Sequence, residues 1–253
     1  AMKSITDAPL KNNADMGLIF DTDVDRAAIV GSNGKPINKN ALIALISKII
    51  LKEHPESTIV TDSVTSNGLA EFIKENAGIH HRFKRGYKNV INESIRLNEE
   101  GIESYLAIET SGHAALKENY FLDDGAYLVS KILMEAAKLH KDGKDIADLI
   151  DGLKEAKEDC EYRIKINKED FKDYANEILE DLKLYSSKIS NWDRVEKNYE
   201  GIRVNCNSED EKGWFLMRVS LHEPLLVLNI DGGCEKIYSK LSNFLSDYSL
   251  SLK

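Results

Sequence analysis

Met16 to Phe20 is a short apolar run that breaks off at an acidic cluster, and Ala27 to Val30 resumes the apolar pattern at once. Short apolar runs bounded by polar turns read as buried strands. A helix-like segment, Met2 to Lys11, comes before them, and Ser32-Asn33-Gly34-Lys35 after them is turn chemistry. Asn38 to Glu53 places Leu42, Leu45, Ile46, Ile49 and Ile50 on one helical face, and His54-Pro55 ends that helix. Strand and helix then alternate. The pattern predicts a strand at Thr58–Thr61 and a helix at Gly68–Asn76 with Gly78 as left-handed cap. A helix at Tyr87–Glu99 closed by Gly101, a strand at Tyr105–Ile108 and a helix at Asp123–His140 follow. Asp123 and Asp124 sit in the first turn of the last helix, where carboxylates suit the dipole. Such alternation indicates a parallel sheet with helices on its faces.

The rhythm changes after Asp142. A charged helical connector, Asp145 to Ala156, leads to a strand at Tyr162–Ile166 and a helix at Phe171–Leu184. Strands at Val195–Tyr199, Ile202–Cys206, Trp214–Val219 and Leu225–Ile230 then run without helices between them, and a helix covers Glu235–Leu245. Strands in succession indicate an antiparallel α+β domain, with the boundary near residue 157. The expected fold class is α/β, a mixed or parallel-sheet domain followed by a smaller α+β antiparallel-sheet domain.

Composition agrees with two soluble domains. The 253 residues are 42% hydrophobic and 30% charged, and 34 Lys+Arg against 43 Asp+Glu give a net charge of −9. That balance argues against a general binder of nucleic acid or anionic membrane. Cys160, Cys206 and Cys234 fit neither a zinc spacing nor a secreted disulfide framework, so the expected location is cytoplasmic. The longest apolar stretch, Ala41 to Leu51, is too short to span a bilayer.

The acidic cluster carries the sharpest chemistry. Asp21, Asp23 and Asp25 lie at i, i+2 and i+4 just after a buried strand. In a continuing strand the three would share one face and repel one another. In a loop they can converge on a hard cation such as Mg²⁺, which accepts carboxylate oxygens and leaves positions for phosphate. A solvated acidic turn is the plainer alternative. An EF-hand fails, because Arg26 stands where its loop needs Gly and Ser32 where it needs Glu. A haloacid-dehalogenase-type phosphatase, with Asp21 as nucleophile and Asp23 as acid/base, also fits Phe20-Asp21-Thr22-Asp23-Val24 and stays open at this point.

Two further loops add polar groups. The strand ending at Ile108 runs into Glu109-Thr110-Ser111-Gly112-His113, and strand ends of α/β sheets are where ligands bind. A Ser-His-Glu hydrolase is disfavoured, since G-x-S-x-G is absent. Arg218, Ser220 and His222 alternate after a later strand, so in an extended segment they point one way, an arrangement suited to phosphate. Lys84-Arg85-Gly86-Tyr87-Lys88 is a compact basic segment leading into a helix whose N-terminal amides add to an anion site.

In this order, these segments resemble the α-D-phosphohexomutase family. Asp21-Thr22-Asp23-Val24-Asp25-Arg26 is similar to its metal loop D-G-D-x-D-R, with Thr22 replacing Gly. Glu109-Thr110-Ser111-Gly112-His113 is similar to the sugar loop G-E-x-S-G-H, with Ile108 replacing the first Gly. Arg218-Val219-Ser220-Leu221-His222-Glu223-Pro224 is similar to the phosphate loop R-x-S-G-T-E-P, with Leu221 and His222 replacing Gly-Thr. Gly86-Tyr87-Lys88 resembles the family's G-x-K segment. The resemblance covers nearly the whole chain, and the phosphatase reading explains neither of the later motifs.

The resemblance implies a fragment of a hexose 1-phosphate/hexose 6-phosphate mutase working through a phosphoserine and a bisphosphate intermediate. Residues 1–35 would be the C-terminal end of family domain 2 with its metal loop. Residues 36–156 would be the sugar-binding domain 3, and 157–253 the phosphate-binding domain 4. Asp21, Asp23 and Asp25 would bind Mg²⁺, with Arg26 beside the transferring phosphate. Glu109 and Ser111 would hold sugar hydroxyls, with His113 as proton carrier or sugar contact. Lys88 would orient the sugar phosphate, and Arg218, Ser220 and His222 would grip the other phosphate. His222 puts a titratable group where the family has Thr. Leu225-Leu226-Val227-Leu228-Asn229 leans toward the phosphomannomutase branch. The family's T-x-S-H-N phosphoserine loop has no counterpart here, so the expected partners are hexose phosphate and the N-terminal domains of the same polypeptide. Ala1 reads as a tag remnant, and the fragment is expected to be inactive alone. A non-catalytic phosphosugar-binding module is the remaining alternative.

Overall fold

The computed structural model describes residues 2–221 and 223–250. The chain divides into two units, residues 1–155 and 156–253.

The first unit opens with α1 (Met2–Asn12), then three short strands: β1 (Met16–Phe20), β2 (Ala27–Gly31) and β3 (Pro36–Ile37). They form an antiparallel sheet in that order, with Phe20 opposite Ala27, so the acidic cluster occupies the β1–β2 connection. Next come α2 (Lys39–Glu53), β4 (Thr58–Thr61), α3 (Asn67–Glu75), β5 (Ile79–Arg82) and α4 (Tyr87–Glu99). The unit is completed by β6 (Ser104–Ile108), β7 (Ala114–Leu116) and α5 (Gly125–Lys141). The second sheet has the order β5-β4-β6-β7; β5, β4 and β6 are parallel and β7 is antiparallel.

Alternate residues of these strands feed two cores. Ile59, Leu106 and Ile108 pack with Leu42, Leu45 and Ile49 of α2, Leu69 and Phe72 of α3, and Leu128 and Ile132 of α5. Val60, Ala107 and Ala115 face the other way, toward Val90 and Leu97 of α4. Helix α2 buries more than the single face its spacing predicts, since Ile43, Ala44, Ser47 and Leu51 are also enclosed. A helix apolar nearly all round belongs in the interior.

The second unit is a five-stranded antiparallel sheet with two helices. Its elements are β8 (Asp159–Lys165), α6 (Phe171–Ser186), β9 (Trp192–Arg194), β10 (Ile202–Cys206), β11 (Gly213–Val219), β12 (Leu225–Asp231) and α7 (Cys234–Ser246), with strand order β8-β12-β11-β10-β9. Ile164, Val204, Phe215, Met217, Leu226 and Leu228 pack against Ile178 and Leu182 of α6 and Ile237 and Leu241 of α7. The fold class is therefore the expected one, a mixed α/β sheet followed by an antiparallel α+β unit.

Several boundaries differ for physical reasons. The strand expected at Val195–Tyr199 lies earlier, at Trp192–Arg194. Beyond it the Asn198 side chain donates to the carbonyls of Glu200 (2.6 Å) and Gly201 (2.9 Å), curling the chain into a turn. The left-handed residue after α3 is Ala77 (φ 59°), not Gly78. Gly78 is small because a Cβ there would lie 2.6 Å from the Leu51 side chain. The connector after α5 forms only a short 3₁₀ turn, Ile146–Ile150, held by reciprocal Asp145–Asp148 capping. Strands β5 and β7 were not anticipated, being short, and β5 (Ile-His-His-Arg) lacks an apolar pattern.

Gly68 marks how the end of this unit is tied down. A Cβ there would stand 1.6 Å from the Lys154 carbonyl oxygen, so any side chain displaces the 151–155 segment. Gly68→Ala is expected to lower stability by roughly 1–3 kcal/mol in urea unfolding of the full chain. Gly152→Ala, whose Cβ would sit 3.9 Å from the Phe72 ring, should change it little.

Candidate functional site

The parallel strands β5, β4 and β6 end on the same side of their sheet, where open α/β sheets bind ligands. There follow Phe83 to Gly86 after β5, Asp62 after β4, and Glu109 to His113 after β6. The acidic loop from the first sheet reaches the same place through backbone contacts. Arg26 and His113 form an isolated antiparallel bridge. The Gly125 amide donates to the Val24 carbonyl at 3.1 Å. A Cβ on Gly125 would lie 2.8 Å from that oxygen, and one on Gly112 (φ 99°) 3.1 Å from the Ala27 carbonyl oxygen. Glycine at both positions lets the loops close on each other.

Within the acidic loop the three carboxylates behave differently. Asp21 is taken by Arg26, whose Nε and Nη2 both lie 2.6 Å from Oδ2, while the Arg26 amide donates to Oδ1 at 3.3 Å. Burial works to raise the Asp21 carboxyl, but the hydrogen bonds and charge of Arg26 outweigh it and hold the group below the ordinary carboxylate range. Asp23 is exposed. Asp25 turns toward the β6–β7 loop, its Oδ2 3.6 Å from His113 Nδ1. Its Oδ1 is buried without a hydrogen-bond partner, with Arg26 Nε 3.9 Å away. Val24, between them, is held at φ 63°, a strained conformation for a β-branched residue and of a kind that concentrates at functional sites.

His113 is the hub. Its Nδ1 lies 2.8 Å from Asp123 Oδ2, and the Tyr87 ring stacks on the imidazole at 4.9 Å. An Nδ1–H donated to Asp123 leaves Nε2 of the neutral ring as the acceptor. Burial pushes the Asp123 carboxyl up, with His113 acting against it and Asp25 with it. Asp25, His113 and Asp123 present ligand atoms all within 4.8 Å of one another, a group able to hold a metal ion. Among the described residues the loop's own three aspartates form no such cluster; Asp25 alone joins one. Asp123 escaped sequence reasoning because it was placed in the helix. Helix α5 begins at Gly125, with Asp124 as its N-cap (side chain to Tyr127 amide, 2.9 Å), which frees Asp123 to bridge Ala115 and face His113. The doubled Asp-Asp before Gly125 was the available signal, since one cap needs one carboxylate.

Glu109 is buried and acts as a clasp. It accepts from the Gly86 amide at 2.6 Å and from Ser111 Oγ at 3.2 Å, tying the basic segment to the β6–β7 loop. Lys88 is exposed in the first turn of α4, 5.8 Å over the Tyr87 ring. Arg26, Lys88, Glu109, Ser111 and His113 thus belong to one cluster of loops.

The second unit's loop is separate in kind. Arg218 lies near the end of β11 and is largely buried. The expected alternation stops at Ser220, because the chain turns there. The Ser220 amide donates to the Leu225 carbonyl at 2.9 Å, and its Oγ accepts the Glu223 amide at 3.3 Å. Glu223 also meets Arg163 at 3.0 Å. His222 lies outside the described residues.

Residues 38–155 match the phosphoglucomutase/phosphomannomutase alpha/beta/alpha domain III. That stretch is a phosphohexomutase family domain. The chain is 28% identical over 239 residues to a phosphomannomutase of Methanocaldococcus jannaschii, covering 93% of this chain and 47% of that protein. A phosphomannomutase/phosphoglucomutase of Pseudomonas syringae is 30% identical over 223 residues, 87% of this chain and 44% of the relative. A family protein of Burkholderia thailandensis shares the fold with TM-score 0.72 at 24% identity, over 98% of this chain and 49% of that one. The chain therefore spans about half the length of the curated relatives it matches. No described helix is long and apolar enough to cross a membrane.

One titration is singled out by the geometry. Asp62, fully buried, is pushed up to about 6 by burial, against the Thr110 hydrogen bond and Arg85 and with the help of Glu109. An acid raised in the folded state holds its proton longer there than in the unfolded chain. Its favourable contribution is complete below about pH 4 and is lost as pH rises through about 6. Asp62→Asn, which has no such titration, should gain roughly 2 kcal/mol relative to wild type between pH 4 and pH 7, measured by urea unfolding at both.

Proposed function

We propose that this chain supplies the metal-, sugar- and phosphate-binding loops of an enzyme interconverting hexose 1-phosphate and hexose 6-phosphate, with mannose or glucose as the hexose. The reading rests above all on one observation: the Arg26–His113 bridge brings the acidic loop, which precedes the matched domain III, against the Glu109–His113 loop inside it. Domain assignments follow the same reading, with residues 1–35 carrying the metal loop, 36–156 the sugar loop and 157–253 the phosphate loop.

Each residue has work its surroundings suit. Arg26 keeps guanidinium donors beyond the Asp21 pair, and these neutralise charge on a phosphoryl group in flight. Glu109 and Ser111 offer an acceptor and a hydroxyl to sugar hydroxyls. His113, oriented through Nδ1 by Asp123, presents Nε2 to move a proton to or from the attacking hydroxyl. Lys88 is a mobile cation for the sugar phosphate. Arg218, Ser220 and His222 bind phosphate. Asp21, Asp23 and Asp25 would hold Mg²⁺ once Arg26 releases Asp21; the loop is an oxygen-rich donor set that suits a hard cation, and Asp25 Oδ1 makes no hydrogen bond. When bound, the ion supplies charge neutralisation at the transferring group. The phosphoryl-carrying serine belongs to the family's first domain, on a T-x-S-H-N loop that these 253 residues do not include. The free cysteines suit a cytoplasmic enzyme.

The phosphatase reading is weaker physically. A nucleophilic Asp21 needs a free carboxylate oxygen, and Arg26 engages both of its oxygens.

Calorimetry of the full chain with mannose 1-phosphate and glucose 1-phosphate, with and without Mg²⁺, tests the proposal. Binding is expected, weakened about tenfold by Lys88→Ala, with no turnover when a hexose bisphosphate is added. Absence of binding would overturn the site; turnover by this chain would overturn the need for an external phosphoserine.

A further inference from the structure

Asp62 is a carboxylate that folding alone does not explain. It is the first residue beyond β4, and the parallel pairing of Thr61 with Ile108 sets it beside Glu109 at the neighbouring strand end. The residue is 0% exposed. Its Oδ2 accepts the Thr110 hydroxyl at 2.7 Å, with Arg85 Nε 4.0 Å away, while Oδ1 is buried without a hydrogen-bond partner. A half-satisfied buried carboxylate beside a second buried carboxylate is unfavourable, and an apolar side chain of similar size would serve the core better. Buried polar groups of this kind gather where a site needs them.

What Asp62 touches says which site. Thr110 sits between Glu109 and Ser111, the two residues assigned to sugar hydroxyls. Its hydroxyl turns inward to Asp62, and its neighbours are fixed by the Gly86 amide and by each other. The far end of the loop is anchored at His113 by Arg26 and Asp123, but at its near end the inward tether is what adds to the contacts of Glu109, a residue that must itself face the ligand. The tether's other end is rigid, because the Asp62 backbone carbonyl accepts the hydroxyls of Thr61 (3.2 Å) and Thr65 (3.1 Å).

We infer that Asp62 is a positioning residue for the hexose, acting through Thr110 to hold Glu109 and Ser111 in register with the sugar hydroxyls. This rests on the sugar-binding reading of the 109–113 loop given above. Such second-rank groups hold a site within the fraction of an ångström that recognition requires.

The test is a double-mutant cycle on the full chain, read by calorimetry with mannose 1-phosphate and with inorganic phosphate, and by thermal melting. Asp62→Ala and Thr110→Val should each weaken hexose phosphate about tenfold. The double variant should be no weaker than the worse single variant, with affinity for inorganic phosphate nearly unchanged and no fall in melting temperature. Additive losses, equal losses for both ligands, or a fall in melting temperature that accompanies the affinity loss would each overturn the inference in favour of a general structural role. Wild-type binding with unaffected variants would overturn it alone. Failure of the wild-type chain to bind hexose phosphate would instead remove the sugar-loop reading and this inference with it. If Asp62→Ala does not fold, the loss in Thr110→Val decides the matter.

Discussion

The close approach of Gly125 and Gly112 to the backbone of residues 24–27 is the constraint on which the site depends. A side chain at Gly125 would press on the Val24 carbonyl at 2.8 Å, and the acidic loop would have to lift away. It would take Asp25 from His113 and break the Arg26–His113 bridge that joins the first small sheet to the second. The strained Val24 and the glycine contacts are two sides of one arrangement, in which packing elsewhere in the unit holds a loop that its own local preferences would not choose.

Electrostatics then sorts the carboxylates brought together. Asp21 and Asp62 are both aspartates just past a strand end, yet their acidities move in opposite directions. Asp21 has a guanidinium and an amide on its oxygens and is held anionic. Asp62 has burial, a neighbouring Glu109 and one hydroxyl, and is pushed toward neutrality. Asp25 and Asp123 flank a single imidazole. Arg26 and Lys88 thus place two cations among the carboxylates of a net acidic chain.

Much of this was legible in the sequence, and the limits are instructive. The alternation of apolar segments identified the α/β unit, the strand succession after residue 157 the antiparallel one, and the strand-end position of Glu109 and the acidic loop pointed to chemistry. What local pattern could not give was which carboxylate meets which partner. Asp123 looked like a helix-dipole acid, because nothing local says that Asp124 takes the cap and leaves Asp123 extended. Asp62 lies in a polar stretch, Thr61 to Ser66, that looks solvated but is largely enclosed. Alternation placed Arg218, Ser220 and His222 on one face, but the turn closed by Ser220 and Glu223 ends the extended geometry on which that inference relied.

The central claim is that loops from two sheets form a single polar site around Asp25, His113 and Asp123. Titration of the isotope-labelled full chain with substoichiometric Mn²⁺, read as paramagnetic broadening by NMR, tests it most directly. The account predicts that resonances of residues 21–26, the His113 ring and Asp123 broaden together, and that excess Mg²⁺ reverses the effect. Broadening confined to residues 21–26, with His113 and Asp123 untouched, would contradict it.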